Sequence, residues 1–344
     1  MNLSEIKKNA REKMKGYCRV CRVCDGVACA GEVPGMGGAG TGASFRANVE
    51  ALAKVKLKMR TLHGAKDPDI SIELFGKKLS MPILAAPITG SDYNMGGAVT
   101  EEEFIKMVIS GSKAAGTMGM CGDGGNPLFY DSGLKAIEGE HGHGIAIMKP
   151  RENEVLLKMA RRAKEICAVA VGMDVDGAGL VTMALMGQPV GPKTFEELKD
   201  IISKVDMPFV VKGIMTVDEA EIAYEAGASA IVVSNHGGRI LDFTPGVAEV
   251  LPAIAEKLKG KITILADGGV RSGIDVLKYL ALGADAVLVG RPVIIGAYGG
   301  GMEGVKLVLE TMAKELYQAM ILTGCKDVSS IGPHIIYNPG HGGV

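Results

Sequence analysis

A histidine and an arginine stand three positions apart in the segment SNHGGR, which covers residues 234–239. A neutral imidazole can accept a proton, and a guanidinium binds a carboxylate through two parallel hydrogen bonds. The two glycines between them let the chain turn without interference from Cβ atoms. A base beside an anion-binding group is what the oxidation of an α-hydroxy acid requires. We therefore predict His236 and Arg239 as catalytic and substrate-binding residues; a structural histidine in a turn capped by arginine is the alternative.

Two glycine-rich turns that contain arginine follow further along the chain. DGGVRSG begins at Asp267 and GRP begins at Gly290, and each comes directly after an apolar run. Successive backbone N–H groups beside a guanidinium are typical of a phosphate site. Tight connections without a ligand are the alternative. The predicted phosphate-binding residues are Gly268, Gly269, Arg271, Gly290 and Arg291.

Lys212 directly follows the apolar residues Phe209, Val210 and Val211. Burying an unpaired ammonium is costly, so a lysine at this point is expected to face a polar site. There it could stabilise negative charge on a bound cofactor. The alternative is a strand-end lysine whose ammonium reaches water.

Four of the seven cysteines lie within twelve positions near the N-terminus, at Cys18, Cys21, Cys24 and Cys29. Their spacing is close to the ferredoxin-like run that holds a [4Fe–4S] cluster, although the last interval is one residue longer. Four thiolates could equally bind a tetrahedral zinc ion. The neighbouring basic residues Arg19 and Arg22 favour thiolates. An iron–sulfur cluster, a zinc ion and no metal therefore all stay open.

The elements that would position these residues are short apolar runs that alternate with amphipathic stretches. Flat apolar runs are typical of parallel strands that are buried on both faces. Three Thr-x-x-Glu capping boxes, at Thr100, Thr194 and Thr216, predict helix starts between them. Eight such units predict a (β/α)8 TIM barrel, with a doubly wound open sheet as the rival. The predicted strands are 81–87, 116–121, 144–149, 168–174, 207–212, 230–235, 262–267 and 285–290.

Composition excludes several classes of protein. The chain of 344 residues is 47% hydrophobic, which allows a large core, and its net charge of -1 gives no reason to expect nucleic acid as a partner. No apolar run is long enough for a membrane span, and the N-terminus lacks the apolar stretch of a signal peptide. We expect a cytoplasmic protein with two parts: a Cys- and Gly-rich appendage over residues 1–45, which begins with a basic helix at 3–14, and a barrel over residues 46–344. Cys121 and Cys167 are expected in the core, and the final NPGHGGV is expected to be a disordered end.

Together, VVKG, SNHGGRILD and LADGGVRSGIDVLKYLALGADAVLVGRP resemble the FMN-dependent α-hydroxy-acid oxidases and dehydrogenases, such as glycolate and lactate oxidase. The resemblance runs from about Ile70 to the C-terminus and is most specific over residues 207–292. It implies a (β/α)8 barrel with non-covalent FMN, and oxidation of a 2-hydroxy acid or related CH–OH donor to the 2-oxo product. A flavin-dependent isomerase or C=C reductase on the same barrel, or a flavin or iron–sulfur redox sensor, is the alternative.

The resemblance also implies roles for individual residues. His236 would take the substrate proton while hydride reaches flavin N5, Arg239 would bind the substrate carboxylate, and Asp176 would support the protonated histidine. Lys212 would stabilise the reduced flavin ring. The implied FMN-binding residues are Pro87, Ile88, Thr89, Lys212, Ser234, Asp267, Gly268, Gly269, Arg271, Gly290 and Arg291. The family further implies a homotetramer or homo-octamer, and a metal cluster at the cysteines would imply an electron-carrier protein as partner.

Several positions depart from the family pattern. The substrate-contacting tyrosine of the third strand is matched by Ala146, and the segment 177–193 after Asp176 contains no arginine. Tyr17 is a possible counterpart of an N-terminal pocket tyrosine. The polar residues that face the flavin are replaced by Gly122, Gly144 and Asp174. The redox core is thus predicted to be kept while the substrate pocket is rebuilt.

Overall fold

Eight parallel strands close into a barrel in the computed structural model, which describes residues 1–337. Each strand pairs with the next in chain order, and the last pairs with the first, Val287 opposite Ile83. The barrel strands are β3 (Ile83–Ile88), β4 (Gly119–Cys121), β5 (Ile145–Met148), β6 (Ala170–Asp174), β7 (Phe209–Ile214), β8 (Ala230–Val233), β9 (Thr263–Ala266) and β10 (Ala286–Val289). The closed barrel confirms the predicted fold and rules out the open sheet.

Alternation along the strands divides the apolar side chains into two cores. Every second residue points into the barrel, for example Ile145 and Ile147 on β5 and Val210 on β7. The residues between them, such as Ala146 and Met148, pack against the surrounding helices. A two-stranded antiparallel hairpin, β1 (Ile72–Leu74) and β2 (Lys77–Leu79), adds two leucines to the inner core.

The helices follow the strands as the capping signals predict. Thr100 and Thr194 form complete capping boxes, whereas Thr216 only accepts a hydrogen bond from the Glu219 N–H. The helices are α1 (Leu3–Lys13), α2 (Pro34–Gly37), α3 (Ala43–Lys54), α4 (Ser91–Met95), α5 (Glu101–Ala114), α6 (Pro127–Gly139), α7 (Asn153–Glu165), α8 (Val181–Leu185), α9 (Phe195–Lys204), α10 (Val217–Glu225), α11 (Val247–Leu258), α12 (Gly273–Ala281) and α13 (Arg291–Thr323), the last interrupted at Gly301. The longest helix that was not predicted is α6, although Asn126 caps it and Pro127 stands at its first position. Among the described residues, none of these helices has the length and hydropathy to cross a membrane.

The N-terminal segment lies against the barrel. Helix α1 packs on α13, where the Asn9 side chain donates a hydrogen bond to the Gly299 carbonyl. Of the two cysteines predicted to lie in the core, Cys121 is buried as expected, but Cys167 is exposed. The core prediction for Cys167 is wrong because this residue lies in the turn between α7 and β6, with φ of +57°. The NPGHGGV segment lies outside the described residues.

Candidate active site

The predicted site residues meet at the carboxyl ends of the barrel strands, around one cavity. This face is where barrels place their active sites. Of the predicted residues, those that line the cavity are Pro87, Ile88, Lys212, His236, Arg239, Asp267, Gly268, Gly269, Arg271, Gly290 and Arg291. Ser234 lies behind Lys212, and Asp176 reaches the cavity through His236. Thr89 follows the end of β3 and lies beside Gly122.

His236 is held by a carboxylate from a different strand end. Its Nδ1 lies 3.1 Å from both carboxylate oxygens of Asp176, and 3.6 Å from Oδ1 of Asp174. Burial lowers the pKa of His236, while Asp176 and Asp174 oppose that shift. An Nδ1–H that donates to Asp176 leaves Nε2 as the proton acceptor. The backbone of His236 adopts φ of +59°, a conformation that is uncommon for a residue other than glycine.

Asp174 is the centre of a buried ion-pair network. Its carboxylate receives the Lys149 ammonium at 2.7 Å and the Lys212 ammonium at 3.1 Å. Burial raises the pKa of Asp174, but Lys149, Lys212 and His236 outweigh it and hold that pKa well below the usual range. These two ammoniums already neutralise the Asp174–Asp176–His236 group, so we interpret it as a proton-transfer centre and not as a metal site.

Lys212 continues this network towards β9. Its ammonium donates to the Ser234 hydroxyl at 3.2 Å, and the Ser234 hydroxyl donates to Asp267 at 2.7 Å. Burial lowers the pKa of Lys212, but Asp174 and Asp267 outweigh it and raise that pKa above the usual value. Lys212 therefore stays charged although it is only 3% exposed.

The structure corrects the face assigned to two residues at β5. Gly144 and Ala146 face the surrounding helices, because a Cβ at Gly144 would contact Ile137 and Ala146 belongs to the outer core. The interior side chains are Ile145 and Ile147, followed by Lys149. A shift of one residue moves a side chain to the other face of a sheet. Matching the family's substrate-contacting tyrosine to Ala146 therefore selected a residue on the outer face of β5.

Lys149, Arg151 and Asp123 are functional candidates that were not predicted. Arg151 forms a buried ion pair with Asp123, and the Asp123 carboxylate also accepts the Lys149 backbone N–H at 2.8 Å. The sequence indicates Lys149 and Arg151 in the same way as Lys212, because the basic residues of MKPR directly follow an apolar run. Of the three, Lys149 acts on His236, since its charge is among those that lower the pKa of the imidazole.

The turns after β9 and β10 provide unsatisfied donors at one end of the cavity. Nη2 of Arg271 and Nη2 of Arg291 are buried without a hydrogen-bond partner among residues 1–337. Gly268 and Gly269 adopt φ of +95° and +75°, which orients successive peptide groups as a glycine turn allows. Burial and the nearby Arg271 lower the pKa of Arg291 to about 9, a cost that a bound phosphate would relieve. This donor set fits the phosphate of FMN.

Arg239 also presents a buried donor. Its Nε has no hydrogen-bond partner in the described part of the chain, and burial lowers the pKa of its guanidinium. Tyr17, the proposed pocket tyrosine, instead packs against Gly96. Tyr93 of α4 packs its ring against that of Phe129, with the ring centroids 5.9 Å apart and the planes tilted by 42°.

The chain matches the model of the family described as FMN-dependent dehydrogenase over residues 35–184 and 178–338. It is 32% identical over 318 residues to a 2-hydroxyacid oxidase of Dictyostelium discoideum, covering 85% of this chain and 81% of that protein. It is 33% identical to a 4-hydroxymandelate oxidase of Amycolatopsis orientalis, covering 86% and 90% of the two chains.

The fold is also similar to that of solved oxidases. The crystal structure of mandelate oxidase superposes with a TM-score of 0.79 at 29% identity, over 96% of each chain. The structure of mandelate oxidase with (S)-2-phenylpropionate gives 0.76 at 31% identity, again over 96% of each chain. The chain therefore belongs to the family of FMN-dependent α-hydroxy-acid oxidases and dehydrogenases, enzymes that oxidise 2-hydroxy acids to 2-oxo products.

Proposed function

We propose that His236 is the catalytic base of this oxidation and that Arg239 binds the substrate carboxylate. The observation that carries the proposal is the convergence of His236, Arg239 and Lys212 on one cavity, with Asp176 bound to the imidazole from behind. FMN, when bound, supplies N5 as the hydride acceptor. The remaining steps belong to the side chains of this chain.

Nε2 of His236 would take the hydroxyl proton of the substrate. The imidazolium that results is stabilised by Asp176 at 3.1 Å and by Asp174 at 3.6 Å. The unpartnered Nε of Arg239 would donate to the substrate carboxylate and hold the carbon that loses hydride in a fixed orientation. The buried Lys212 ammonium would stabilise negative charge on the reduced ring.

The cofactor-binding roles follow from the same cavity. The donors of Gly268, Gly269, Arg271, Gly290 and Arg291 would bind the phosphate, and Pro87 and Ile88 would lie against the ring edge. Ser234 and Asp267 would act by holding the Lys212 ammonium. Thr89 does not line the cavity. It would support the edge of the flavin ring indirectly, by positioning the backbone that follows β3.

Further properties belong to the same proposal. We place the enzyme in the cytoplasm as a homotetramer or homo-octamer, with residues 1–45 as an appendage to the barrel of 46–344. Light scattering tests the assembly, and a monomer at working concentration would contradict it.

A metal centre, either a [4Fe–4S] cluster or zinc, would be held by Cys18, Cys21, Cys24 and Cys29. A cluster would imply an electron-carrier protein as partner. The comparisons do not favour the isomerase, C=C reductase or sensor alternatives.

The test is anaerobic bleaching of the bound flavin by a panel of 2-hydroxy acids. His236→Gln should slow bleaching by about 10²- to 10⁴-fold, because general-base catalysis contributes that much, while FMN stays bound. His141→Gln, on an exposed loop, is the matched control and should bleach normally. Normal bleaching by His236→Gln would show that the base is assigned wrongly.

A further inference from the structure

The four N-terminal cysteines line one cavity of their own. Cys18, Cys21, Cys24 and Cys29 all line the same small pocket, and all four thiols are free. The donor atoms are four sulfurs, a soft set that suits iron–sulfur clusters and zinc.

The separation of the sulfurs distinguishes a cluster from a zinc ion. Zinc–sulfur bonds of about 2.3 Å place tetrahedral sulfurs about 3.8 Å apart. Among the described residues, the one group of three potential metal-ligand atoms within 4.8 Å of one another comes from Asp174, Asp176 and His236. No three of the cysteine sulfurs are therefore that close to one another. A cubane cluster holds its thiolates further apart, because four irons stand between them.

Two of the groups around the sulfurs would stabilise an anionic cluster. The Val20 backbone N–H donates to Cys18 Sγ at 3.3 Å, and Arg291 lines the cavity. The cavity lining also includes Asp25 and Arg19, whose guanidinium is paired with Glu32. Gly26, at φ of +82°, packs its Cα against the Phe45 ring so closely that a Cβ would overlap it. The cysteine segment is thereby fixed in place on the barrel.

Two arginines connect this cavity to the predicted FMN phosphate site. Arg291 lines both cavities, and its Nε donates to the Met36 carbonyl at 2.8 Å in the segment that separates them. Nε of Arg271 donates to the Cys24 carbonyl at 3.1 Å. Both guanidiniums stack on the Phe45 ring, Arg291 at 3.9 Å and Arg271 at 5.4 Å.

From this arrangement we infer that Cys18, Cys21, Cys24 and Cys29 bind a [4Fe–4S] cluster that exchanges electrons with the FMN site, which makes the protein a dehydrogenase using a one-electron carrier protein. The inference rests on the proposed function for the source of electrons. The substrate loses one proton to His236 and a hydride to FMN. Reoxidation releases two electrons and one proton; the cluster takes the electrons one at a time and reduces two molecules of oxidised carrier.

The test is metal analysis and spectroscopy of the full-length holoenzyme, purified anaerobically. Wild type should contain iron and acid-labile sulfide in equal amounts at the stoichiometry of a [4Fe–4S] cluster, and dithionite should produce the paramagnetic signal of the reduced cluster. Cys21→Ala and Cys29→Ala should lose both, while FMN content is kept. Cys167→Ala, an exposed cysteine outside the segment, is the matched control and should keep them.

A second measurement tests the relay separately from the flavin chemistry. In Cys21→Ala, reduction of a ferredoxin-type carrier should slow by at least about tenfold relative to bleaching of the flavin by the same 2-hydroxy acid. Zinc in place of iron, or neither metal in wild type, would overturn the cluster. An iron-loaded enzyme whose carrier reduction is unchanged in Cys21→Ala would overturn the relay. Failure of bleaching in every protein would instead refute the proposed function and leave the iron result standing.

Discussion

At the scale of single residues, the acid–base behaviour of His236 depends on charges that oppose each other. Asp176 and Asp174 raise the pKa of the imidazole, while burial, Lys212 and Lys149 lower it. The net effect is a pKa below the ordinary value. A base is active when it is deprotonated, so flavin reduction is lost as the pH falls through this pKa. The acid limb of the pH–rate profile should therefore lie below pH 6.5, the ordinary value for histidine.

Asp176→Asn should move this acid limb to still lower pH. The substitution removes the largest effect that raises the pKa of His236, and it also removes the anion that stabilises the imidazolium. The plateau rate should fall by on the order of 10²- to 10⁴-fold. The measurement is the anaerobic bleaching rate from pH 5 to 9; a limb that moves to higher pH would contradict the assigned partner.

Lys149→Met should shift the limb in the opposite direction. Removing this ammonium takes away a charge that lowers the pKa of His236, and it frees Asp174 to act more strongly on the imidazole. Lys149 is a positioning residue in this view, so the shift in pH, and not a loss of rate alone, is the diagnostic readout. Lys158→Met, exposed on α7, is the control and should leave the profile unchanged.

At the scale of elements, helix α3 fixes the loops that carry the site. The Asn48 side chain of α3 is fully buried; it donates to the Asn235 side chain at 2.8 Å and accepts the Val247 N–H at 3.0 Å. Asn235 in turn accepts the Gly238 N–H inside the His-to-Arg turn. The same Asn48 contacts the turn at Gly268 and Gly269. One side chain thus joins the loops after β8 and β9.

Asn48→Ala should lower the free energy of unfolding by about 2–4 kcal/mol. The buried Val247 N–H loses its acceptor, at roughly 1–3 kcal/mol, and the Asn235 amide oxygen loses one of its two donors, at about 1 kcal/mol. FMN affinity should fall as well, because the phosphate turn loses its support. Urea unfolding and flavin titration measure the two effects. Asn9→Ala removes one hydrogen bond at an exposed position and should cost less than about 1 kcal/mol. Equal effects of the two substitutions would refute this role for Asn48.

At the scale of the whole molecule, barrel closure pairs the last strand with the first, and the turns after β9 and β10, the proposed phosphate site, lie side by side at the carboxyl ends of the strands. A ligand that binds only the folded state stabilises it by about 2.7 kcal/mol at 100 times its dissociation constant. Adding FMN to the apoprotein should therefore raise the unfolding midpoint. Riboflavin, which lacks the phosphate, should bind far more weakly.

Arg271→Met should remove most of the difference between FMN and riboflavin. Its Nη2 is one of the two buried guanidinium nitrogens at the phosphate turns without a partner in residues 1–337, so the phosphate is its expected acceptor. Thermal unfolding with each ligand measures the effect. Arg161→Met, exposed on α7, is the control. An unchanged preference for FMN in Arg271→Met would show that the phosphate lies elsewhere.

The barrel, the glycine turns after β9 and β10 and the His-to-Arg turn could all be predicted from the amino-acid sequence. Each depends on neighbouring residues: an apolar run long enough for a buried strand, or glycines that allow a turn. Strand ends were predicted within a few residues, and the clearest omission, α6, had its signal in Asn126 and Pro127.

Which side chains meet depends on the packing of the folded chain. Asp176 and His236 are 60 positions apart, and barrel closure brings them to 3.1 Å. The face of each residue on β5 depends on strand register, where a shift of one residue exchanges inside for outside, so Lys149 and not Ala146 points to the site. The cysteine cavity beside Arg291 likewise exists only because the N-terminal segment packs on the closed barrel. The preference of a segment for strand, helix or turn depends on adjacent residues, whereas contacts between residues far apart in the sequence depend on how the elements pack.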